Sequence, residues 1–313
     1  MIFLCMDYSL LYYGSEEFAK QIGKSSGETD IKYYHTKRGD SEITILYPFK
    51  FPERIQPLIN SASVSKKALI EIQNLDKFTG ELLLALDYYG VRDLGIISDD
   101  SIFSTVEKIT KGMKFNLYRV EKNMGSIYDF LDKPVEPSKI EKTIILVDQA
   151  FPVKGVGTVV LGFVIGGTVK KHQQLKSYPN GKNAEVRSIQ IMDVDRESAI
   201  PYSRVGLALK GVEVDDVQKG TILSEDQEIE LVDSLEINIR INQGVKTQPR
   251  QGEKIQINFA FSNVNAVVSD FDNGRILIDV DKKIPKIEGI IYSITDLNNS
   301  PRILGAGQIG DIN

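Results

Sequence analysis

The hydrophobic pattern of this 313-residue chain changes near residue 140, and the change separates two classes of fold. In the first part, short apolar runs alternate with segments of helical spacing, such as Glu81–Tyr89, which stops at Gly90. A second helix is expected from Ser101, its N-cap, to Gly112. Strands that alternate with helices predict a parallel sheet with crossover helices. The predicted strands are Ile2–Leu4, Ile43–Leu46, Ala68–Ile72 and Leu94–Ile97.

Beyond residue 140 the apolar residues recur with a period of two, and no long amphipathic helix is evident. The alternating segments are Glu185–Ile191, Leu235–Ile241, Ile255–Phe261 and, after the turn Asp272–Gly274, Ile276–Val280. Many short strands favour closed barrels over one open sheet. With a linker at 132–142 and an acidic break at 225–233, we predict an α/β domain (1–140) followed by two β-barrels (141–228 and 229–313).

Charge and composition exclude several classes of function. The chain has 38 Lys and Arg against 43 Asp and Glu, a net charge of −5, which argues against coating DNA or RNA through bulk positive charge. It has one cysteine, Cys5, and two histidines, His35 and His172. We therefore expect no disulfide framework, no metal site and no histidine-based triad, and Cys5 is expected to be inert in a buried strand.

The longest uncharged apolar run, Val156–Val169, is shorter than the roughly 20 residues of a membrane-spanning helix. It is interpreted as a pair of buried strands joined by a turn at Gly166–Gly167. The first residues lack the basic leader and apolar core of a secretion signal. We expect a cytoplasmic protein with no membrane partner.

Two segments partly match phosphate- and metal-binding motifs. Gly23–Ser25 matches the end of a phosphate-binding loop, but Phe18 stands where its first glycine is required, and the predicted Ile2–Leu4 strand lies far upstream. A surface turn is favoured there. Asp193 and Asp195 have calcium-loop spacing but lack the accompanying glycine and glutamate, so a solvated turn is favoured again.

Three blocks of sequence are more specific. Val147–Gly162 (VDQAFPVKGVGTVVLG), Ser203–Val212 (SRVGLALKGV) and Gly220–Leu223 resemble, in order, the second domain of translational GTPases. The resemblance is closest to the selenocysteine-specific elongation factors of archaea, relatives of elongation factor Tu. Pro301–Ile309 resembles the last strand of the family's third domain, another barrel.

The same resemblance makes the first domain a degenerate P-loop GTPase-like domain. Ile43–Pro52 occupies the place of the Asp-x-x-Gly motif without its aspartate or glycine. Ile96–Asp100 lies where Asn-Lys-x-Asp would recognise guanine, and it lacks the lysine. Phosphoryl transfer depends on positioned amides, a lysine and Mg²⁺. We therefore expect a non-enzyme with no catalytic or nucleotide-binding residues and no cofactor.

The resemblance also implies candidate RNA contacts. In the family the second domain holds the aminoacyl end of tRNA, and the corresponding pocket here would include Gln190, Met192 and Asp193. A histidine expected near Met192 is missing, and so is an extra C-terminal domain, which counts against selenocysteine delivery. Lysines of two basic clusters in the sequence are candidate contacts to an RNA backbone: Lys170, Lys171, Lys282, Lys283 and Lys286.

Four functions are therefore ranked. The first is a non-hydrolysing elongation factor-like protein that binds tRNA, ribosome-associated RNA or another translation factor through its barrels. The second is a protein-interaction module built on a pseudo-GTPase scaffold. A retained weak GTP-binding factor ranks third and an unrelated enzyme last, because no cluster of nucleophile, base or metal ligands is evident.

Overall fold

A computed structural model describes residues 6–310 of the chain. The chain divides into two compact units between Pro137 and Ser138. The strand expected at Ile2–Leu4 and the buried position expected for Cys5 lie outside the described residues. No helix in residues 6–310 combines the length and hydrophobicity needed to cross a membrane.

The first unit is a seven-stranded sheet with helices between its strands. The strands are β1 (Tyr8–Tyr13), β2 (Lys24–Glu28), β3 (Lys32–Arg38), β4 (Ser41–Tyr47), β5 (Lys67–Glu71), β6 (Asp93–Ile97) and β7 (Asn116–Arg119). The helices are α1 (Glu16–Ile22), α2 (Gln56–Val64), α3 (Lys77–Tyr88), α4 (Asp100–Ile109) and α5 (Met124–Leu131).

The strand order is β2-β3-β4-β1-β5-β6-β7. The last five strands in this order, from β4 to β7, are parallel to one another. The β2–β3 and β3–β4 pairs are antiparallel. Because crossover helices cover a parallel sheet, its central strands are continuous apolar runs, as in Leu10, Leu69 and Ile96, which are fully buried. The predicted parallel sheet with crossover helices is confirmed.

Helix ends follow local capping chemistry. The Asp76 carboxylate accepts a hydrogen bond of 2.8 Å from the Thr79 backbone N–H, so α3 begins four residues before the expected Glu81. It ends before Gly90, whose φ of 72° suits glycine. The expected N-cap at Ser101 is wrong: Asp99 is the N-cap of α4, because its carboxylate is better placed to accept from the backbone of Ile102.

The segment Gly23–Ser25 is not the expected surface turn. Gly23 follows the last residue of α1, and Lys24 and Ser25 begin the edge strand β2. A side chain at Gly23 would lie 2.8 Å from the carbonyl oxygen of His35, so the glycine allows β2 to approach β3 closely. Its role is to pack the sheet edge.

The second unit begins with a ring of six antiparallel strands. These are β8 (Ile144–Val153), β9 (Gly157–Gly166), β11 (Gln174–Tyr178), β12 (Asn183–Ile191), β15 (Arg204–Lys210) and β16 (Ile222–Ser224). Pairing of β11 with both β16 and β12 closes the ring. The short strand β13 (Val194–Arg196) pairs with β12, whereas β10 (Val169–Lys170) and β14 (Ser198–Ala199) pair with each other. A 3₁₀ helix spans Val214–Val217. Apolar residues of alternating positions, such as Val160 and Leu207, fill the interior.

A second, closed barrel follows, with strand order β17-β20-β19-β18-β21-β22. Its strands are β17 (Leu231–Arg240), β18 (Lys254–Phe259), β19 (Ser262–Asp272), β20 (Arg275–Pro285), β21 (Tyr292–Thr295) and β22 (Ile303–Gln308). The hairpin turn at Asn273 and Gly274 is confirmed, with φ of 49° and 81°. Phe261 does not continue the alternation of β18: with Ala260 it forms the turn into β19, at φ of 64° and 45°. The fold is an α/β domain with a parallel sheet followed by two β-barrels.

Candidate functional site

The carboxyl ends of five parallel strands meet at one edge of the first sheet. In open α/β sheets, ligands bind in the crevice outside these ends. Here the edge consists of the segments that follow β1, β4, β5, β6 and β7. It is the place where a nucleotide site would have to be built.

The connection between β1 and α1 is two residues long, Gly14 and Ser15. The Glu71 carboxylate, at the end of β5, lies beside it. Its Oε1 is 3.4 Å from the Ser15 backbone nitrogen and accepts a hydrogen bond from the Tyr12 hydroxyl. The same hydroxyl lies 3.0 Å from the Ser15 carbonyl oxygen. The backbone N–H of Ser15, at the start of the first helix, therefore donates to a carboxylate of the protein itself.

The Glu71 side chain is only 7% exposed, and its second oxygen is held by the Lys122 ammonium at 2.6 Å. A Cβ on Gly14 would lie 2.6 Å from Oε1 of Glu71, so the absence of a side chain lets the carboxylate approach. Burial, together with the hydrogen bond to Glu71, raises the pKa of the Tyr12 hydroxyl above its usual value. The hydroxyl is therefore a permanent donor to Glu71 at neutral pH.

Aromatic rings fill the edge between β1 and β4. The Tyr12 and Tyr47 ring centroids are 5.8 Å apart, and Tyr13 packs edge-on against Phe51 at 5.5 Å. The Lys32 ammonium lies 4.7 Å from the centroid of Phe49. Two acidic residues, Glu16 and Glu17, occupy the first turn of α1. Aromatic bulk therefore surrounds the start of this helix, and Glu16 is paired with Lys20 and Lys32.

A cleft of about 480 Å³ lies outside the ends of β5, β6 and β7. The Asp99 carboxylate in its wall accepts from the Ile102 backbone at 2.8 Å and from the Ser101 hydroxyl at 2.7 Å, which holds its pKa below the usual value. Asp100 is exposed and paired with Arg119. Capping thus engages Asp99 and ion pairing engages Asp100, the two aspartates of the segment compared above with a guanine-recognition motif.

The three residues expected to form the aminoacyl pocket lie on one hairpin of the first barrel. Met192 and Asp193 are the two turn residues between β12 and β13, with φ of 49° and 62°. The Met192 side chain packs against the barrel core, whereas Asp193 is exposed. Gln190 donates a hydrogen bond of 2.9 Å to Asp195. Two consecutive non-glycine residues at positive φ store strain at this hairpin.

The five candidate lysines are placed in two groups. Lys170 is exposed in β10, and the next residue, Lys171, pairs with Glu197 at 2.6 Å. Lys282 and Lys283 are exposed where the pairing of β20 with β17 is interrupted, and Lys286 follows the same strand. Among residues 6–310, no three His, Cys, Asp or Glu side chains lie close enough together to hold a metal ion.

Sequence reasoning did not single out Tyr12, Glu71 or Lys122. The run Tyr8–Tyr13 (YSLLYY) was available as a strand signal, and Gly14–Ser15 before two glutamates is typical of a helix start. The contact of Glu71 with this segment is set by the pairing of β1 with β5, which no local pattern reveals.

Residues 157–224 match the family described as elongation factor Tu domain 2. The chain is 34% identical to an uncharacterized protein of Methanocaldococcus jannaschii, over 94% of this chain and 96% of that protein. It is 28% identical to the selenocysteine-specific elongation factor of the same organism, over 84% of this chain. It spans 65% of that factor's length.

Solved structures share the fold. Translation elongation factor SelB from Methanococcus maripaludis, in complex with the GTP analogue GppNHp, superposes with a TM-score of 0.82 at 22% identity, covering 100% of this chain and 80% of that one. A bacterial selenocysteine-specific elongation factor gives a TM-score of 0.82 at 18% identity, covering 97% of this chain and 58% of that one. Sequence and fold agree, and the chain belongs to the translational GTPase family, the relatives of elongation factor Tu.

Proposed function

We propose that this protein is a translation-related factor that neither binds nor hydrolyses GTP and that binds RNA of the translation apparatus through its β-barrels, in the cytoplasm. The observation that carries the first part is the Glu71 carboxylate beside the Ser15 amide. Nucleotide phosphates are held by backbone N–H groups at a helix start. In this protein, that amide already faces an anion of the chain itself.

The contacts of Glu71 and the space available both oppose a nucleotide at this edge. A phosphate at the Ser15 amide would have to displace the Glu71 carboxylate, which is held by the Tyr12 hydroxyl and the Lys122 ammonium. A two-residue connection also offers few amides, whereas a phosphate-binding loop wraps the phosphates with successive ones. The nearby rings of Tyr12 and Tyr47 supply no ligand for Mg²⁺.

Titration with a fluorescent GTP analogue in the presence of Mg²⁺ tests the loss of GTP binding. We expect no saturable signal up to millimolar nucleotide. Binding in the micromolar range would contradict the proposal, and a matched titration with the ATP analogue would show whether any weak signal is specific for guanine.

The proposed RNA contacts rest on family membership and on the exposed lysines of both barrels. Each lysine that neutralises a phosphate releases counterions, so binding through them must weaken as salt increases. Gln190, Met192 and Asp193 stay the candidate residues for the aminoacyl or other RNA end. Because the net charge of the chain is −5, local groups of lysines have to supply the attraction.

Filter binding to aminoacylated and deacylated tRNA across a salt series tests this second part. We expect salt-sensitive binding, and for Lys282→Glu/Lys283→Glu we expect weaker binding with a salt slope smaller by about 2. The matched control is Lys108→Glu/Lys111→Glu, two exposed lysines of the first unit. Absence of salt-sensitive binding to either tRNA would refute the proposal, and co-purification of a protein without RNA would favour a protein-interaction module.

A further inference from the structure

The second barrel has a groove of about 670 Å³ on its outer face. It opens where two strand pairings end at different points. Pairing of β18 with β19 extends to Lys254 and Val267, whereas pairing of β18 with β21 stops at Gln256 and Thr295. Past that point, the Asp296–Asn298 turn lines the groove in place of a strand.

Two large apolar side chains line this groove and face solvent. Val267 is 40% exposed and Leu297 is 53% exposed, and they come from β19 and from the turn after β21. The turn that presents Leu297 is held by the Asp296 carboxylate, which accepts from the Asn298 backbone N–H and the Asn299 side-chain amide, both at 2.9 Å. Solvent-facing apolar groups grouped in a concave surface are typical of a binding site.

Three carboxylates surround the apolar pair: Asp279, Asp281 and Asp296. Their hydrogen-bond partners are uncharged. Asp279 accepts from the Ser269 hydroxyl at 2.5 Å, and Asp281 accepts from the Asn265 amide at 3.2 Å. Within residues 6–310, none of the three carboxylates forms an ion pair. The groove therefore carries net negative charge, with Lys254 as the one basic residue in its lining.

We propose that this groove binds a basic, extended segment of a partner protein. An apolar side chain of that segment would lie between Val267 and Leu297, and flanking Lys or Arg side chains would reach Asp279 and Asp281. Complementary charge selects such a partner and excludes nucleic acid, because a phosphate backbone would be repelled by three carboxylates. This site is additional to the proposed RNA contacts and does not depend on them.

Fluorescence anisotropy with the full-length chain tests the proposal. The probe is a labelled nine-residue peptide that alternates Lys and Leu, compared with its Glu-for-Lys version and with a labelled oligouridylate. We expect the basic peptide to bind with saturation and the acidic peptide not to bind, and we expect Asp279→Asn/Asp281→Asn to weaken binding of the basic peptide about tenfold or more. We expect Leu297→Ser to weaken it as well, since it removes the apolar contact without changing charge.

The matched control is Asp129→Asn/Asp233→Asn, which removes the same charge from exposed positions outside the groove. Its peptide affinity should equal that of the wild type, and circular dichroism should show that all variants are folded. If the control and the groove variant lose peptide affinity equally, the proposal is overturned, because the loss would then follow from the net charge of the chain and not from the groove. Binding of the acidic peptide, or loss of oligouridylate binding in the groove variant, would overturn it too.

Discussion

The Glu71 carboxylate lies 3.4 Å from the Ser15 backbone nitrogen, although the two residues are 56 positions apart in sequence. The pairing of β1 with β5 brings them together, and the absence of a side chain on Gly14 leaves room for the contact. An anion that belongs to the chain therefore stabilises the start of α1. The Ser15 backbone N–H, one of the donors at this helix start, therefore has its acceptor within the chain.

Substitution of Glu71 tests this relationship through stability. Glu71→Ala removes the acceptor of the Tyr12 hydroxyl and the partner of Lys122, so we expect the free energy of unfolding to fall by about 1–3 kcal/mol. Glu107→Ala is the matched control, an exposed glutamate of α4 whose removal should cost less than about 0.5 kcal/mol. Urea unfolding measures both. Equal stability of the two variants would show that the Glu71 contact does not stabilise the domain.

The periodicity of the sequence is sufficient to predict the fold class. Alternation of apolar residues located β12, β17 and β18, and the Asn273–Gly274 turn marked the hairpin between β19 and β20. These signals are local: the period of two and the positive φ of a tight turn are properties of a few consecutive residues. They therefore remain visible in a single sequence.

The candidate site was less predictable because its contacts join distant segments. Tyr12, Glu71 and Lys122 belong to three different parts of the chain and meet only at the sheet edge. Phe261 was assigned to a strand because its apolar ring fits the alternation, but contact with the first barrel places it in a turn at positive φ. In both cases tertiary packing outweighs the local pattern.

Two glycines on neighbouring strands should respond very differently to the same substitution. A Cβ on Gly162 would lie 2.5 Å from the carbonyl oxygen of Leu146, whereas a Cβ on Gly206 has its nearest neighbour at 3.5 Å. We expect Gly162→Ala to cost about 3 kcal/mol, because strands β8 and β9 must separate. Gly206→Ala should change stability by less than about 1 kcal/mol. Thermal unfolding monitored by circular dichroism distinguishes them, and a tolerated Gly162→Ala would argue against the close approach.

The turn between β18 and β19, in the second barrel, packs against the first barrel of the same unit. The Phe261 ring stacks on Phe163 with centroids 5.8 Å apart and an interplanar angle of 17°. We expect Phe261→Ala to lower the free energy of unfolding by about 3 kcal/mol, because it removes this buried stack. Ala260→Gly, at the adjacent positive φ, should change stability by less than about 1 kcal/mol, because relief of the positive φ offsets the loss of a buried methyl group. A neutral Phe261→Ala would mean that the barrels are joined by other contacts.

Stability at high pH should depend on buried tyrosines of the first sheet. Burial, reinforced by the nearby negative charge of Glu16, raises the pKa of Tyr34 to about 12, from a reference value of 10.0. The folded state therefore holds this proton at a pH where the unfolded state releases it. This contribution to stability is complete below pH 10 and is lost as the pH rises through 12, since the unfolded state then binds fewer protons than the folded state. Urea unfolding from pH 8 to 12 should show a decline in the wild type that is less steep in Tyr34→Phe. The stability difference between the two proteins should stay constant from pH 6 to 8, and parallel curves up to pH 12 would contradict a raised pKa.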